Sequence, residues 1–488
     1  MRRNHSITIN FVMNIILTMS SVLFPLITFP YISRILLPAG TGRVSFATSL
    51  ISYFNMFAQL GIPTYGICAC AKVRDNREEL TRTAHELLAI NLVMSVVSYA
   101  GLFLCLLFVP RLWEERTLYV IVSLSILLNA IGMEWLYKAL EEYSYITIRS
   151  VIFKLVSLIG MFFLIHQQSD YVIYGGITIF AASASNVMNL LNAHKYIDMR
   201  PVGGYHPMRH MKAVAVFFAM ACATTVYTNL DTVMLGFMAT DEDVGYYNAA
   251  VKIKGILVSV VTSLGTVLLP RVSYYVEQGK LGEFYRVIRK SLRFVFLAAT
   301  PLTLYFILFA RQGIYFLSGT AYEGAVIPMQ IIMPTLLLIG ITNVLGMQIL
   351  VPLGKERIVL YSEIAGAVTD WILNLILIPK MASAGAAIGT LAAEFVVLVV
   401  QYAALRREAG GVFREISYGK ILLALLVGTA ASVWMIPLGA GNFLTLLASA
   451  CLFFGGYAAL LIALREPLMR EFLGQILKAL RTRFVRRH

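Results

Sequence analysis

The feature that most constrains this chain is a succession of apolar runs, each close to membrane-crossing length and separated by short charged loops. A helix needs roughly 20 apolar residues to cross the hydrocarbon of a bilayer. The runs fall near 10–33, 43–66, 85–109, 117–137, 144–166, 171–192, 213–237, 246–269, 292–316, 326–350, 358–379, 384–405, 419–437 and 443–464. Hydrophobic residues make up 59% of the 488 and charged residues 14%, against about 45–50% and about 25% in an ordinary globular chain. A soluble fold cannot hide that excess, because it must cover its core with polar side chains. The pattern excludes a soluble enzyme, a secreted module and a large outside domain on a single anchor. It predicts an all-α polytopic membrane protein of about 14 transmembrane helices.

The formal charge of +14 would suggest nucleic acid in a soluble protein. In a membrane protein, basic residues gather in cytoplasmic loops. With both termini inside, roughly 30 of the 40 Lys and Arg fall in cytoplasmic segments and about 6 outside. Arg271, Lys280, Arg286, Arg289, Lys290 and Arg293 share one inside loop, and seven more follow Leu464. The charge therefore reports topology, and no nucleic-acid partner is expected. Leu468, Phe472, Leu473, Ile476, Leu477, Leu480 and Phe484 recur at helical spacing among those basic residues. This predicts an amphipathic helix on the anionic inner leaflet over 465–488. Met1-Arg2-Arg3 and the following apolar run imitate a signal peptide, but no small-residue cleavage site follows, so the run reads as the first span. The five cysteines lie in or beside apolar stretches and read as small buried hydrophobes, not as a disulfide or metal framework.

A weak internal repeat organises the spans. Gly42-Arg43-Val44-Ser45-Phe46-Ala47 follows the first, and Gly245-Tyr246-Tyr247-Asn248-Ala249-Ala250 follows the seventh. With the span count, this suggests two parallel six-helix lobes, 1–205 and 206–408, then two extra helices over 409–464.

No metal-ligand spacing, nucleophile motif or phosphate-cradling glycine loop is present in the sequence. No cofactor is expected. The informative residues are the few polar ones at membrane depth, where an ionisable group is costly and usually faces a cavity or a partner. Span five carries Arg149 and Lys154, which enter roughly 9 Å and roughly 16 Å past Tyr143 at 1.5 Å per residue. Two cations with no acid on their own helix suit an anionic ligand; the alternative is pairing with Glu134 on span four. In the second half, Asp370 and Asn374 lie four apart on span eleven with Glu363 on the same stripe, and span twelve brings Thr390 and Glu394. Span seven adds Asn229 and Asp231. Carboxylate, amide and hydroxyl oxygens at similar depth suit Na⁺, or H⁺ on a carboxylate with a raised pKa. The alternative is a structural network with Asp231 paired to Lys252 or Lys254. Pro25, Pro30 and Pro63 interrupt the first two spans, and Arg34 and Arg43 flank the first outside turn, either as a basic gate or at the headgroups.

At these residues the chain resembles a known family. Phe24-Pro25-Leu26-Ile27-Thr28-Phe29-Pro30-Tyr31-Ile32-Ser33-Arg34 with the Gly42 motif looks like bacterial polysaccharide flippases of O-antigen and capsule type. So do Gln59-Leu60-Gly61-Ile62-Pro63-Thr64-Tyr65-Gly66, Ile146-Thr147-Ile148-Arg149-Ser150, Asn229-Leu230-Asp231-Thr232-Val233-Met234-Leu235-Gly236 and the Gly245 motif. The likeness runs from about residue 10 to about residue 405. It implies the multidrug/oligosaccharidyl-lipid/polysaccharide exporter superfamily, with two lobes in a V around a central cavity and alternating access. It also implies flipping of undecaprenyl-diphosphate-linked oligosaccharide from the inner to the outer leaflet of the bacterial cytoplasmic membrane, by a monomer. Arg149 then takes the cationic-cavity role for the diphosphate, with Lys154 and Arg34 beside it. By span, Asp231, Asp370, Asn374, Thr390 and Glu394 correspond to a cation site in the related lipid II flippases. The competing readings are a multidrug exporter of the same fold and, from another class, a membrane glycosyltransferase or polymerase.

Overall fold

The computed structural model describes residues 7–409, 411–438 and 441–471. The start Met1-Arg2-Arg3 and the tail pattern from Phe472 onward lie outside the described residues. Those described form helices and connecting turns, with no strand among them. They divide into two compact units, Met1–Gly245 and Tyr246–His488.

The first unit holds α1 (Ile7–Gln59), α2 (Ile62–Val73), α3 (Arg77–Phe108), α4 (Pro110–Glu114), α5 (Arg116–Ile131), α6 (Glu134–Ala139), α7 (Tyr143–Leu164), α8 (Tyr171–Ile179), α9 (Asn186–Asn192) and α10 (Met208–Met238). Next comes α11 (Asp241–Glu277), which runs on into the second unit. That unit continues with α12 (Leu281–Leu308), α13 (Ala310–Ser318), α14 (Val326–Ile332), α15 (Thr335–Asn343), α16 (Glu356–Ala409), α17 (Tyr418–Ser432) and α18 (Asn442–Ala463).

Among the described residues, eleven helices are long and apolar enough to cross a membrane, or twelve if the bent pair Thr320–Ile332 and Thr335–Leu350 is one crossing. That is fewer than the fourteen runs of the sequence. The difference lies in continuity, because α1 and α16 each run through a backbone break. Leu37 (φ 57°) stands before Pro38 in α1, and Ala382 (φ 46°) interrupts α16. Pro25 and Pro30 stay inside helix; the sharp break comes later than those prolines suggest. The break before Pro63 is made by Leu60 (φ 46°) and Gly61 (φ 73°), which leaves the proline in the first turn of α2, where its missing N–H costs nothing. Gly61 is needed twice over: any Cβ there would press into the backbone of Phe217 and Phe218 on α10.

The packing is inverted relative to a soluble bundle. On α3, Ala84, Leu87, Asn91, Ser95, Ser98 and Leu102 are buried at helical spacing, while Val93, Val96, Val97, Phe103 and Phe108 are exposed. Small and hydroxyl residues let helices approach closely where lipid supplies the apolar surroundings. Start and stop follow ordinary capping rules. The Asn76 side chain accepts from the N–H groups of Glu78 (3.1 Å) and Glu79 (3.3 Å), and those two carboxylates sit at the positive end of the helix. Pro110 then ends α3 at Phe108.

Candidate functional site

The cations of span five sit on α7, and the helix sends them in different directions. Lys154 is half-buried and donates to Ser20 Oγ (2.9 Å) and Ser21 Oγ (2.8 Å) on α1. Thr147, seven residues earlier and so on the same face, also reaches α1, donating to the Met13 carbonyl (2.9 Å). Arg149 is about 140° away around the helix from Lys154. Its side chain is only 5% exposed and donates to Glu134 Oε2 (3.4 Å) and Asn186 Oδ1 (3.1 Å). Pairing with Glu134 is therefore part of the structure, and Glu134 is shared with Lys138 (2.8 Å). The group Glu134, Lys138 and Arg149 keeps one net positive charge. Arg34, the third candidate, is exposed on α1 and donates to the Pro30 carbonyl one turn back (2.9 Å).

Behind Arg149 runs a line of amides the sequence did not single out. Asn186 Nδ2 donates to Asn129 Oδ1 (3.1 Å), and Asn129 Nδ2 to Asn55 Oδ1 (3.4 Å). Asn55 Oδ1 also accepts from Gln59 Nε2 (3.4 Å), and Asn55 Nδ2 donates to Ser125 Oγ (3.0 Å). One π-helical turn, Phe180–Ala184, leads into α9 and offsets its register, so that Asn186 and Asn189 both face inward. The line ends at a cavity of 440 Å³ bounded by α1, α2 and α10. The spacing of Ser52, Asn55 and Gln59 on one face of span two was readable in the sequence. Their link to Arg149 was not, because it runs through four helices.

Two ionic clusters, one at each end of α10, were also missed. Near its start, the fully buried Glu86 carboxylate on α3 accepts from the His206 N–H (2.7 Å) and Arg209 Nε (2.8 Å). His210 Nε2 lies 2.7 Å from the same carboxylate, and His210 Nδ1 lies 2.8 Å from the Tyr65 hydroxyl. Just past its other end, Asp241 pairs with Arg43 (3.1 Å) and Arg111 (2.9 Å), while Arg43 also pairs with Glu115 (3.3 Å). Tyr171 donates to Glu115 (2.7 Å), and the Arg43 guanidinium lies 5.0 Å from the Tyr171 ring centroid. The repeat glycines meet here. A Cβ on Gly42 would run into the Asp241 carbonyl, and one on Gly245 into the Pro38 carbonyl. Their common role is to let backbone pack on backbone.

In the second unit the oxygen-bearing candidates cluster on α16. Asp370 and Asn374 are buried before the Ala382 break; Gly389, Thr390 and Glu394 follow it. A Cβ at Gly389 would meet both Asn374 Oδ1 and Asp370 Oδ1, so the glycine is what admits these two oxygens beside Thr390. Thr390 and the Tyr247 hydroxyl are 2.9 Å apart. Glu394 is buried one turn further along, whereas Glu363 is exposed and stands apart from the group. Asp231 is buried on α10 in the first unit, with the half-buried Asn229 two residues before it donating to the Thr225 carbonyl (3.1 Å). Among the described residues no three His, Cys, Asp or Glu side chains gather as a metal site. Any cation held by this group would need amide and hydroxyl oxygens in addition to the Asp370 carboxylate.

Comparison with known proteins places this architecture. The family model described as polysaccharide biosynthesis protein matches residues 7–276, and the MatE model matches residues 216–376. Two curated relatives bear the description "Putative O-antigen transporter". The one from Escherichia coli (strain K12) is 26% identical over 78% of this chain and 91% of its own length. The one from Shigella dysenteriae is 24% identical over 79% and 97%. Among solved structures, the lipid II flippase MurJ in an inward closed conformation superposes with a TM-score of 0.70 at 15% identity, covering 93% of this chain and 99% of that one. Each of these relatives carries a transporter or flippase name, and none an enzyme name. The chain is an all-helical, multi-pass membrane protein that belongs to the polysaccharide biosynthesis protein family, within the multidrug/oligosaccharidyl-lipid/polysaccharide exporter superfamily.

Proposed function

We propose that this protein is a flippase for undecaprenyl-diphosphate-linked oligosaccharide, carrying the repeat unit of a surface polysaccharide from the inner to the outer leaflet of a bacterial cytoplasmic membrane. The observation that carries the reading is Lys154. It lies about halfway along a membrane-spanning helix, and among the described residues its hydrogen bonds go to two neutral hydroxyls. An ammonium hydrogen-bonded there only to hydroxyls, with Glu134 acting on it only at a distance, is costly unless an anion visits it. A lipid diphosphate is such an anion, and it cannot cross hydrocarbon uncompensated.

In this mechanism Lys154 makes the principal contact to the diphosphate. Arg149, already engaged by Glu134 and Asn186, adds positive potential, and the exposed Arg34 is a third cation on the route. The lipid tail stays in the bilayer while the head group moves, and no bond is made or broken. Counting the kinked α1 and α16 as two crossings each, and the bent pair as one, gives fourteen spans with both termini cytoplasmic. They form the lobes 1–205 and 206–408, with 409–464 as two added helices. The monomer alternates between inward and outward access, so ligand or ion must bind the two states unequally to bias them. Asp231, Asp370, Asn374, Thr390 and Glu394 are the candidates for Na⁺ or H⁺ coupling.

Deletion of the gene followed by lipid extraction tests the function. Intact lipid-linked oligosaccharide should accumulate on the inner leaflet. A polymerase defect would instead leave single repeat units on the outer leaflet, and a drug exporter would leave the lipid-linked pool unchanged.

A further inference from the structure

Two deeply buried amide oxygens in the second unit face no donor. Gln348 is 1% exposed and Gln401 2%, yet Gln348 Oε1 and Gln401 Oε1 have no hydrogen-bond partner among the described residues. Gln348 sits on the π-helical turn Val344–Leu350 that follows α15, and Gln401 lies on α16 after the Ala382 break. A Cβ at Gly346, on that same turn, would press on the Gln401 amide. One at Gly265 of α11 would meet Gln348 Nε2 and Asn343 Oδ1. Two missing side chains thus make room for three amides. Leu345, Ile349 and Leu405 beside them belong to one buried apolar core. An orphaned acceptor in such surroundings is costly, and π-helical turns are frequent at functional sites.

The Gln401 oxygen is also held in its direction. Ser362 Oγ donates to the Val359 carbonyl (2.7 Å), so toward Gln401 it can only accept, and Gln401 must approach it through Nε2 (3.0 Å). That turns Oε1 away from Ser362.

Both limbs of α16 connect this place to the Asp370 group. Ser362 stands roughly 12 Å along the helix from Asp370 and roughly 9 Å from Glu356 at the start of α16. On the limb after the break, Gln401 lies two turns beyond Glu394 on the same face, roughly 10 Å away. Between the two groups the limbs touch: a Cβ at Gly366 would meet the Ala393 carbonyl and the Val397 side chain. An apolar step therefore separates them. Glu356, Arg357 and Arg406 mark the charged edge beyond.

We propose that Gln348 and Gln401 form a second cation station, a transient site for a monovalent metal cation of the Na⁺ type between the Asp370 group and the charged end of α16. The inference rests on the ion coupling proposed above and gives the ion a place to rest on its route. Amide oxygens can replace the hydration shell of such an ion, but they take no proton at ordinary pH, so the station serves Na⁺ and not H⁺. An anion would meet two carbonyl dipoles of the wrong sign. Amides hold a cation more weakly than the Asp370 carboxylate does, and weak binding at successive sites lets an ion leave. A buried water is the other occupant that an acceptor pair accommodates.

The test is equilibrium binding of radiolabelled Na⁺ to the purified full-length protein, counted per chain at saturation. Wild type should bind two Na⁺, one at the Asp370 group and one about tenfold more weakly at the amides, since fewer charged ligands weaken a site. Gln401→Met keeps the length of the side chain and removes its amide. It should bind one Na⁺, with the tighter affinity within about twofold of wild type. If Gln401→Met does not fold, Gln348→Met decides by the same count. Two Na⁺ on the variant, or one on wild type and variant alike, overturns the station and leaves water as its occupant, with coupling at Asp370 standing. No Na⁺ on wild type overturns the station and Na⁺ coupling together.

Discussion

The polar interiors of the two units are built from different chemistry. In the first, ion pairs hold both ends of α10, buried around Glu86 and partly exposed around Asp241, and neutral amides fill the space between α7 and the cavity. In the second, α16 folds back beyond Ala382 so that Asp370 and Asn374 sit against Gly389 beside Thr390, an arrangement rich in oxygens. Under the proposed function, the first serves a large anionic and hydroxylated ligand and the second a small cation. Under that proposal, one fold separates ligand recognition from energy coupling by placing nitrogen donors in one region and oxygen acceptors in the other.

The most severe way to break this contrast is to remove the nitrogen side. Arg149→Ala combined with Lys154→Ala should lower polysaccharide export by about 100-fold or more, since charge-assisted contacts are worth roughly 1.5–3 kcal/mol each. Export that survives the double change would refute the cationic role. On the oxygen side, Asp370→Asn should cut gradient-driven transport by about tenfold and erase its response to Na⁺ or H⁺, in keeping with a coupling energy of about 1–3 kcal/mol. An unaltered ion response counts against coupling on α16.

Gly389→Ala sharpens the contrast without touching a polar atom. Its methyl would displace Asn374 and Asp370, so ion dependence should fall severalfold while diphosphate-lipid binding stays unchanged. A loss of lipid binding would show that the two regions are not separate.

Glu86→Gln probes the fastening of α10. Removing the buried carboxylate leaves Arg209 without its partner charge and weakens three hydrogen bonds, which should lower stability in detergent by roughly 1–3 kcal/mol. Arg43→Ala should have the smallest effect. Its pairs with Asp241 and Glu115 are about a third exposed, and solvent-screened pairs are worth under about 1 kcal/mol. Thermal unfolding of the two variants side by side checks the order.

Much of the fold was legible because apolar length alone sets a membrane helix. The all-helical class followed from that, and so did the family, from the motifs around Gly42, Arg149, Asp231 and Gly245. The break at Leu37 was not legible from the prolines. Pro25 and Pro30 fit inside the helix, and the turn came at the residue before Pro38, where backbone sterics already disfavour helix. Asp370 and Asn374 were found because a spacing of four shares a face. Gly389 escaped notice because what it contributes is an absent side chain. Arg149 was legible as a buried cation, but the relay from Asn186 to Gln59 joins residues more than a hundred positions apart, and no local pattern reports it. Glu86 sat too near the start of its span to be told from a headgroup-level charge; only the packing of His206, Arg209 and His210 on it reveals that it is buried.

The most direct test of the central claim is a flipping assay in vesicles with purified protein and a lipid-linked oligosaccharide introduced on one side. The fraction of sugar accessible to an added glycosidase on the other side is followed over time. Wild type should make the lipid-linked sugar accessible, whereas protein-free vesicles and the Arg149→Ala, Lys154→Ala double variant should keep it shielded. Equal shielding with and without wild-type protein, under an imposed Na⁺ or H⁺ gradient, would contradict it.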